Sequence, residues 1–228
     1  MRIALFIGLT FLLGFATAQT LSQDEVLENL RTRAETLEDA QFLLTGMLVD
    51  PDGTEIILEV DVQVIPPTRV ARADIYQPDA LADNSIIVDG DALYNYIFLT
   101  NQATIFDVND PDALGGFLPA GGEGEGFEFT LDLESLFAGW DLALSGYSER
   151  PEGNVYELRF INKEEGVRID YVDATVLDEL WLPSSMTFIT EDGSLLAELN
   201  FNDFVVDSGL NADDVVYLPD DVEIIDER

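Results

Sequence analysis

Over most of this chain apolar and polar residues alternate with a period of two, the pattern of strands that bury one face. The clearest run sets Leu58, Val60, Val62 and Val64 against Glu59, Asp61 and Gln63, and Pro66-Pro67 stops it. Phe42, Leu44, Gly46 and Leu48 share a face of the preceding strand, with Pro51-Asp52-Gly53 as the turn between the two. A weaker strand follows over residues 69–76. Strands over 85–88 and 93–99 flank Asp89-Gly90-Asp91, a tight hairpin, and another covers 103–108. Later strands are predicted over 155–161, 167–176, 185–190 and 195–206. Most connections are hairpin-short, so the sheet is expected to be antiparallel, with strands adjacent in chain order.

Two segments break the alternation in favour of a helical period. Ser22 and Glu25 form a Ser-x-x-Glu capping box, and Val26, Leu27, Leu30, Ala34 and Leu37 then recur on one helical face. In the middle of the chain, residues 115–126 (GGFLPAGGEGEG) are half glycine, too flexible for a core element. They lead into Leu133, Leu136, Phe137 and Trp140, a short amphipathic helix on a loose tether. The fold class is therefore α+β and mainly β: a strongly curved antiparallel sheet forming an incomplete barrel. The N-terminal helix and the short mid-chain lid helix cover it. A twisted sheet this wide curls, and its apolar side encloses a space that an apolar ligand can share with the side chains.

Residues 1–18 stand apart from this pattern. Met1-Arg2, the uncharged apolar run over 3–15 and Ala16-Thr17-Ala18 read as a cleavable signal peptide, too short to span a bilayer. The next residue is Gln19, so no lipid is expected on a cysteine there. Residues 19–228 are then expected to be one exported domain, periplasmic or secreted, and monomeric. Removing Arg2 leaves nine basic residues against 46 acidic ones, a net charge near −37. Such a field argues against nucleic acid and anionic lipid surfaces. With 47% hydrophobic residues, disorder is not expected.

The chain has no histidine and no cysteine, which removes Ser-His-Asp triads, thiolate nucleophiles, Cys/His zinc sites and disulfides. Asp107-Val108-Asn109-Asp110-Pro111-Asp112 is dense in oxygen ligands, but it lacks the glycine and distal glutamate of an EF-hand and reads as an acidic turn. With 46 acids, carboxylate pairs of the glycosidase kind arise by chance. No catalytic residue, metal ligand or cofactor is assigned.

The order of elements resembles the periplasmic outer-membrane lipoprotein carrier family, the LolA-like fold. Four passages carry the resemblance. The capped helix leads into Phe42-Leu43-Leu44-Thr45-Gly46, and Pro67-Thr68-Arg69-Val70-Ala71-Arg72 follows. Gln77-Pro78-Asp79 then precedes Ile86-Ile87-Val88-Asp89-Gly90-Asp91-Ala92-Leu93-Tyr94-Asn95-Tyr96, similar to the family's Asp-Gly-x-x-Leu-(Trp/Tyr)-x-Tyr signature. Leu218-Pro219-Asp220-Asp221-Val222-Glu223 resembles its closing segment. Pro66 stands where better-known members have a basic residue, and Ala73 where they have an aromatic one.

The resemblance implies an incomplete barrel whose apolar cavity shields lipoprotein acyl chains on their way to the outer membrane. Partners would be an acylated lipoprotein or other lipid, an inner-membrane donor and an outer-membrane acceptor. Cavity candidates are Phe42, Leu44, Leu58, Val60, Val62, Tyr94, Tyr96, Phe98, Leu133, Leu136, Phe137 and Trp140. Arg69 and Arg72 are candidates for holding lid carbonyls, or for ordinary solvated or salt-bridged strand arginines. Competing readings are an envelope-stress sensor of related fold and a secreted carbohydrate-active or calcium-dependent β-rich enzyme.

Overall fold

The computed structural model describes residues 21–50, 52–108, 110, 131–151, 153–164 and 167–228. The signal segment and the glycine-rich stretch over 115–126 lie outside them. Helix α1 (Gln23–Thr36) opens with the expected box: the Ser22 side chain accepts from the Glu25 amide while the Glu25 carboxylate accepts from the Ser22 amide. Twelve strands follow: β1 (Ala40–Val49), β2 (Glu55–Ile65), β3 (Val70–Gln77), β4 (Ser85–Asp89), β5 (Ala92–Ile97), β6 (Gln102–Asp107), β7 (Asp141–Arg150), β8 (Gly153–Ile161), β9 (Tyr171–Leu177), β10 (Leu182–Ile189), β11 (Leu195–Val206) and β12 (Glu223–Asp226). Helix α2 (Leu133–Leu136) precedes β7, and α3 (Ala212–Val215) follows β11.

All twelve strands join one open sheet in the order β12-β6-β5-β4-β3-β2-β1-β11-β10-β9-β8-β7. It is an incomplete barrel with helices, as expected. Two features depart from a simple antiparallel meander. The chain meanders outward from β1 to β6, resumes at the opposite edge with β7 and meanders back, so that β11 closes against β1. The last strand, β12, pairs parallel to β6. Parallel pairing needs a crossover, and the segment carrying α3 supplies it over the outer face of the sheet.

Strand register fixes which residues share a face. Ala40, Phe42 and Leu44 on β1 lie beside Val64, Val62 and Val60 on β2, and all belong to one cluster with Ala71, Ala73, Ile86, Val88 and Leu93. A second cluster gathers Val26 and Leu30 of α1, Leu133 and Phe137 around α2, and Tyr156, Leu158, Phe160, Val172, Ala174, Val176 and Met186. Phe201 packs against both. These clusters form the inner face. On the outer side a smaller cluster seats Val215 of α3 against Ile65 and Val70.

The connections sort to two ends. One end carries the β1–β2 and β10–β11 hairpins, the β3–β4 connection and the β5–β6 turn. We call it the hairpin end. The other is tied by two carboxylates. Asp39, only 3% exposed, accepts from the amides of Ser208 (2.9 Å), Gly209 (2.7 Å) and Leu210 (3.2 Å) and from the Ser208 hydroxyl (2.8 Å). Asp207 returns the arrangement, accepting from the Glu38 amide (3.0 Å) and from Arg33 (2.9 Å). We call this the clamp end.

Candidate functional site

Register carries the apolar inner face across seven strands without a polar interruption. One row runs Leu58, Gly46, Leu199, Met186, Ala174, Leu158, Leu144. The next, nearer the hairpin end, runs Ile56, Leu48, Ala197, Phe188, Val172, Phe160, Leu142. On β8 to β10 the first row is sealed: Leu158, Ala174 and Met186 are buried, in one cluster with the residues of α1 and α2. On β2, β1 and β11 it is not. Leu58, Val60, Leu44, Leu48, Leu199 and Phe201 remain half-buried, whereas Phe42, Val62 and Val64 toward the clamp end are fully covered. On β1 and β2 the inner face is thus packed toward the clamp end and half-buried toward the hairpin end, while Ala197, Val172 and Phe160 farther across are buried.

A change of parity on β11 shapes the middle of this face. Asp203 sits at φ 55°, in the left-handed region, where the β1–β11 register shifts. Phe201 and Phe204 therefore both meet Phe42, with ring centroids 5.6 and 5.0 Å away, although strict alternation would put them on opposite sides. Farther across, Phe137 stacks on Phe160 at 4.4 Å, and Tyr156 stacks on Trp181 at 5.5 Å and meets Tyr147 at 5.4 Å. These aromatics pack within the two inner clusters. At Gly46 an added Cβ would lie 2.1 Å from the Glu198 carbonyl oxygen, so the close approach of β11 demands glycine there.

The candidates from the sequence distribute as follows. Phe42, Leu44, Val60 and Val62 come together in the first inner cluster, and register puts Leu58 on the same face. Leu133, Phe137 and Trp140 join the second, while Leu136 points away and is exposed. Helix α2 lasts a single turn, capped by Asp132, and Glu134 ties it to Arg31 of α1 at 3.0 Å. Tyr94 and Tyr96 fall on the outer face, because Leu93, their neighbour of opposite parity, faces inward beside Val88. Phe98 lies beyond β5 in an exposed turn.

The two arginines also separate. Arg69 pairs with Asp91 at 2.8 Å in the open. Arg72 bonds Asp74 (2.8 Å), Ser85 (3.1 Å) and the carbonyl of Tyr217 (2.7 Å), so it holds the C-terminal segment on the outer face. Sequence reasoning passed over Phe160, Phe188, Phe201 and Phe204. The first three were visible as strand aromatics; the bulge concealed Phe204.

A separate groove of about 740 Å³ opens at the hairpin end between Val49-Asp50, Val167-Arg168 and residues 190–196. Its rim mixes Arg168 with Asp50, Glu191 and Asp192. Among the described residues no group of three or more potential metal ligands assembles, and no helix is long and apolar enough to cross a membrane.

No protein-family model and no curated protein matches the chain. Solved structures do. A conserved protein from Thermus thermophilus aligns at 19% identity over 89% of this chain and 98% of its own, with a TM-score of 0.62. The chain also aligns with the Pseudomonas aeruginosa MucA/MucB complex at 15% identity and a TM-score of 0.51, covering 85% of this chain and 61% of the other. A LolA superfamily protein from Nitrosomonas europaea aligns at 13% identity over 87% and 99%, with a TM-score of 0.41. At such identities the likeness is one of fold.

Proposed function

We propose that the chain from residue 19 on is an exported, non-enzymatic carrier that takes lipid or lipoprotein acyl chains onto its inner face and passes them toward the outer membrane. One observation carries this reading: an uninterrupted apolar surface whose Leu44, Leu58, Val60, Leu199 and Phe201 stay half-buried. A hydrocarbon chain laid there removes both surfaces from water, at about 0.8 kcal/mol per buried methylene. No polar contact is needed, which suits a cargo that must later be released. The lack of histidine and cysteine supports the same reading, since it leaves little for covalent catalysis. An inner-membrane donor and an outer-membrane acceptor would complete the route. A protein ligand is the second reading, favoured by the likeness to MucB, which has been solved in complex with MucA.

The test is Val60→Glu against a fluorescent long-chain fatty acid. Val60 is half-buried, so the new carboxylate keeps contact with water in the free protein, while a bound chain would have to desolvate it. Affinity is expected to fall at least about a hundredfold, or ~2.7 kcal/mol. Wild-type affinity in the variant, or no binding by the wild type, refutes the carrier reading.

A further inference from the structure

The turn joining β5 to β6 presents Ile97, Phe98 and Leu99 in succession to solvent, with Phe98 59% and Leu99 91% exposed. It stands at the hairpin end, toward which the inner face on β1 and β2 is only half-buried. The turn is not free to fold its side chains away. The Phe98 amide donates to Asn84 Oδ1 (3.0 Å), and the Asn101 amide donates to the Phe98 carbonyl (3.1 Å). Asn101, at φ 51°, gives its side-chain amide to the Asp221 carbonyl (3.0 Å) and accepts from the Tyr96 hydroxyl (3.2 Å). Large apolar side chains fixed outward on such a frame mark a contact surface.

Charge identifies the kind of surface. Residues 92–106 contain no ionisable acid or base other than the two tyrosines, in a chain where 25% of residues are charged. Three other tips at this end are acidic, with Asp50 and Asp52, Asp79 and Asp83, Glu191 and Asp192, while the β8–β9 connection mixes Lys163 and Arg168 with Glu164 and Asp170. The carboxylates beside the turn belong to the C-terminal segment: Glu223 accepts from Gln102 at 2.7 Å, and the exposed Asp220 and Asp221 precede it. Several polar atoms of the turn, the Phe98 amide and the Asn101 side chain among them, are spent on its own frame. What remains is a charge-free apolar tip, which a bilayer accepts without desolvating an ion.

We infer that the hairpin end docks on a zwitterionic lipid bilayer, with Phe98 and Leu99 entering it. The inference rests on the carrier reading and deepens it, since it brings the open part of the inner face to the surface from which acyl chains come or to which they go. The net charge of −36 sets the lipid preference, because it opposes approach to an anionic surface.

Flotation of protein purified from the exported fraction with phosphatidylcholine vesicles tests this. The wild type should float with them, less so when phosphatidylglycerol is mixed in at low salt, and recover as salt screens the repulsion. Leu99→Ser and Phe98→Ser should each lower partitioning about tenfold or more, from the loss of one buried apolar side chain. Ile57→Ser, which removes an exposed apolar side chain on the outer face of β2, should change nothing. Failure of the wild type to float, or unchanged flotation of both tip variants, overturns the inference. Retention by native membrane vesicles but not by pure lipid overturns it in favour of a protein contact. Fatty-acid binding measured without vesicles separates the two claims: the tip variants should keep it. Its absence from the wild type strikes the carrier reading, while absent flotation with fatty-acid binding intact strikes the docking alone.

Discussion

Replacing Asp39 isolates one buried carboxylate in a chain that has 46 acidic residues. Burial alone would raise its pKa, but the Ser208 amide and hydroxyl and the Gly209 and Leu210 amides outweigh burial and hold it below its ordinary value of 3.8. In Asp39→Ala all four bonds are lost. Each hydrogen bond to a charged acceptor contributes roughly 1.5–3 kcal/mol, but Ser208 and Gly209 are exposed and their donors regain water. The net cost is about 3–4 kcal/mol, a large share of an ordinary domain's 5–15 kcal/mol. Asp39→Asn keeps one acceptor oxygen and should cost about half as much.

The sign of the pH dependence follows from the depressed pKa. A carboxylate favoured in the folded state stabilises fully above 3.8, and that contribution is lost as pH falls through the lower folded value. Urea unfolding of wild type and Asp39→Asn at neutral pH and in acid is the assay, with the difference between them cancelling the other carboxylates. That difference should be largest at neutral pH and shrink in acid, where the protonated wild-type side chain resembles the asparagine. A difference that stays constant, or grows in acid, would refute the assignment of Asp39 as an ionised clamp.

Two further ties can be tested in the same way. Gln23 of α1 acts as a fragment of an extra strand: its amide nitrogen donates to the Leu142 carbonyl (3.2 Å) and its oxygen accepts from the Leu144 amide (3.1 Å), on the open edge of β7. Gln23→Ala should cost about 1–2 kcal/mol and speed hydrogen exchange at the Leu144 amide tenfold or more, and unchanged exchange would show that water satisfies this edge equally well. Arg72→Lys keeps the charge but loses the planar fork that reaches Asp74, Ser85 and Tyr217 together. It should destabilise by about 2 kcal/mol and expose residues 211–226 to limited proteolysis; a resistant C-terminal segment would mean that the Val215 cluster suffices.

What the sequence made legible follows from how local each signal is. The capping box of α1 is decided within four residues, and the alternation of β2 within eight, so both were read directly. Val60 and Val62 were legible as one face because Glu59, Asp61 and Gln63 make the other side of β2 polar, and register sets Phe42 and Leu44 of β1 beside them. Around β4 the same logic fails. Ile86, Ile87 and Val88 are all buried, since the inner cluster covers one face and the C-terminal segment the other. A strand covered on both sides has no alternation to reveal its inside, and the aromatic run of Tyr94, Tyr96 and Phe98 suggested the opposite face. Phe204 was hidden by the left-handed Asp203, which resets the count without any glycine to announce it. The pairing of β1 with β11 and the parallel β12 depend on contacts more than a hundred residues apart, which no local pattern encodes.

The extreme acidity becomes intelligible beside the bare part of the inner face. Seven of the nine described basic residues are held in ion pairs, so almost no positive charge is free to offset the acids. An apolar strip open to solvent invites a second copy of the chain to cover it, the commonest fate of such a surface. A net charge of −36 on each copy opposes that encounter over a Debye length of about 10 Å in ~0.1 M salt. A neutral hydrocarbon chain carries no charge to be repelled and gains the whole of its burial. On the carrier reading, the same field that keeps copies apart leaves the strip available to an apolar guest, and the acid excess would filter what lies against Leu44, Val60 and Phe201.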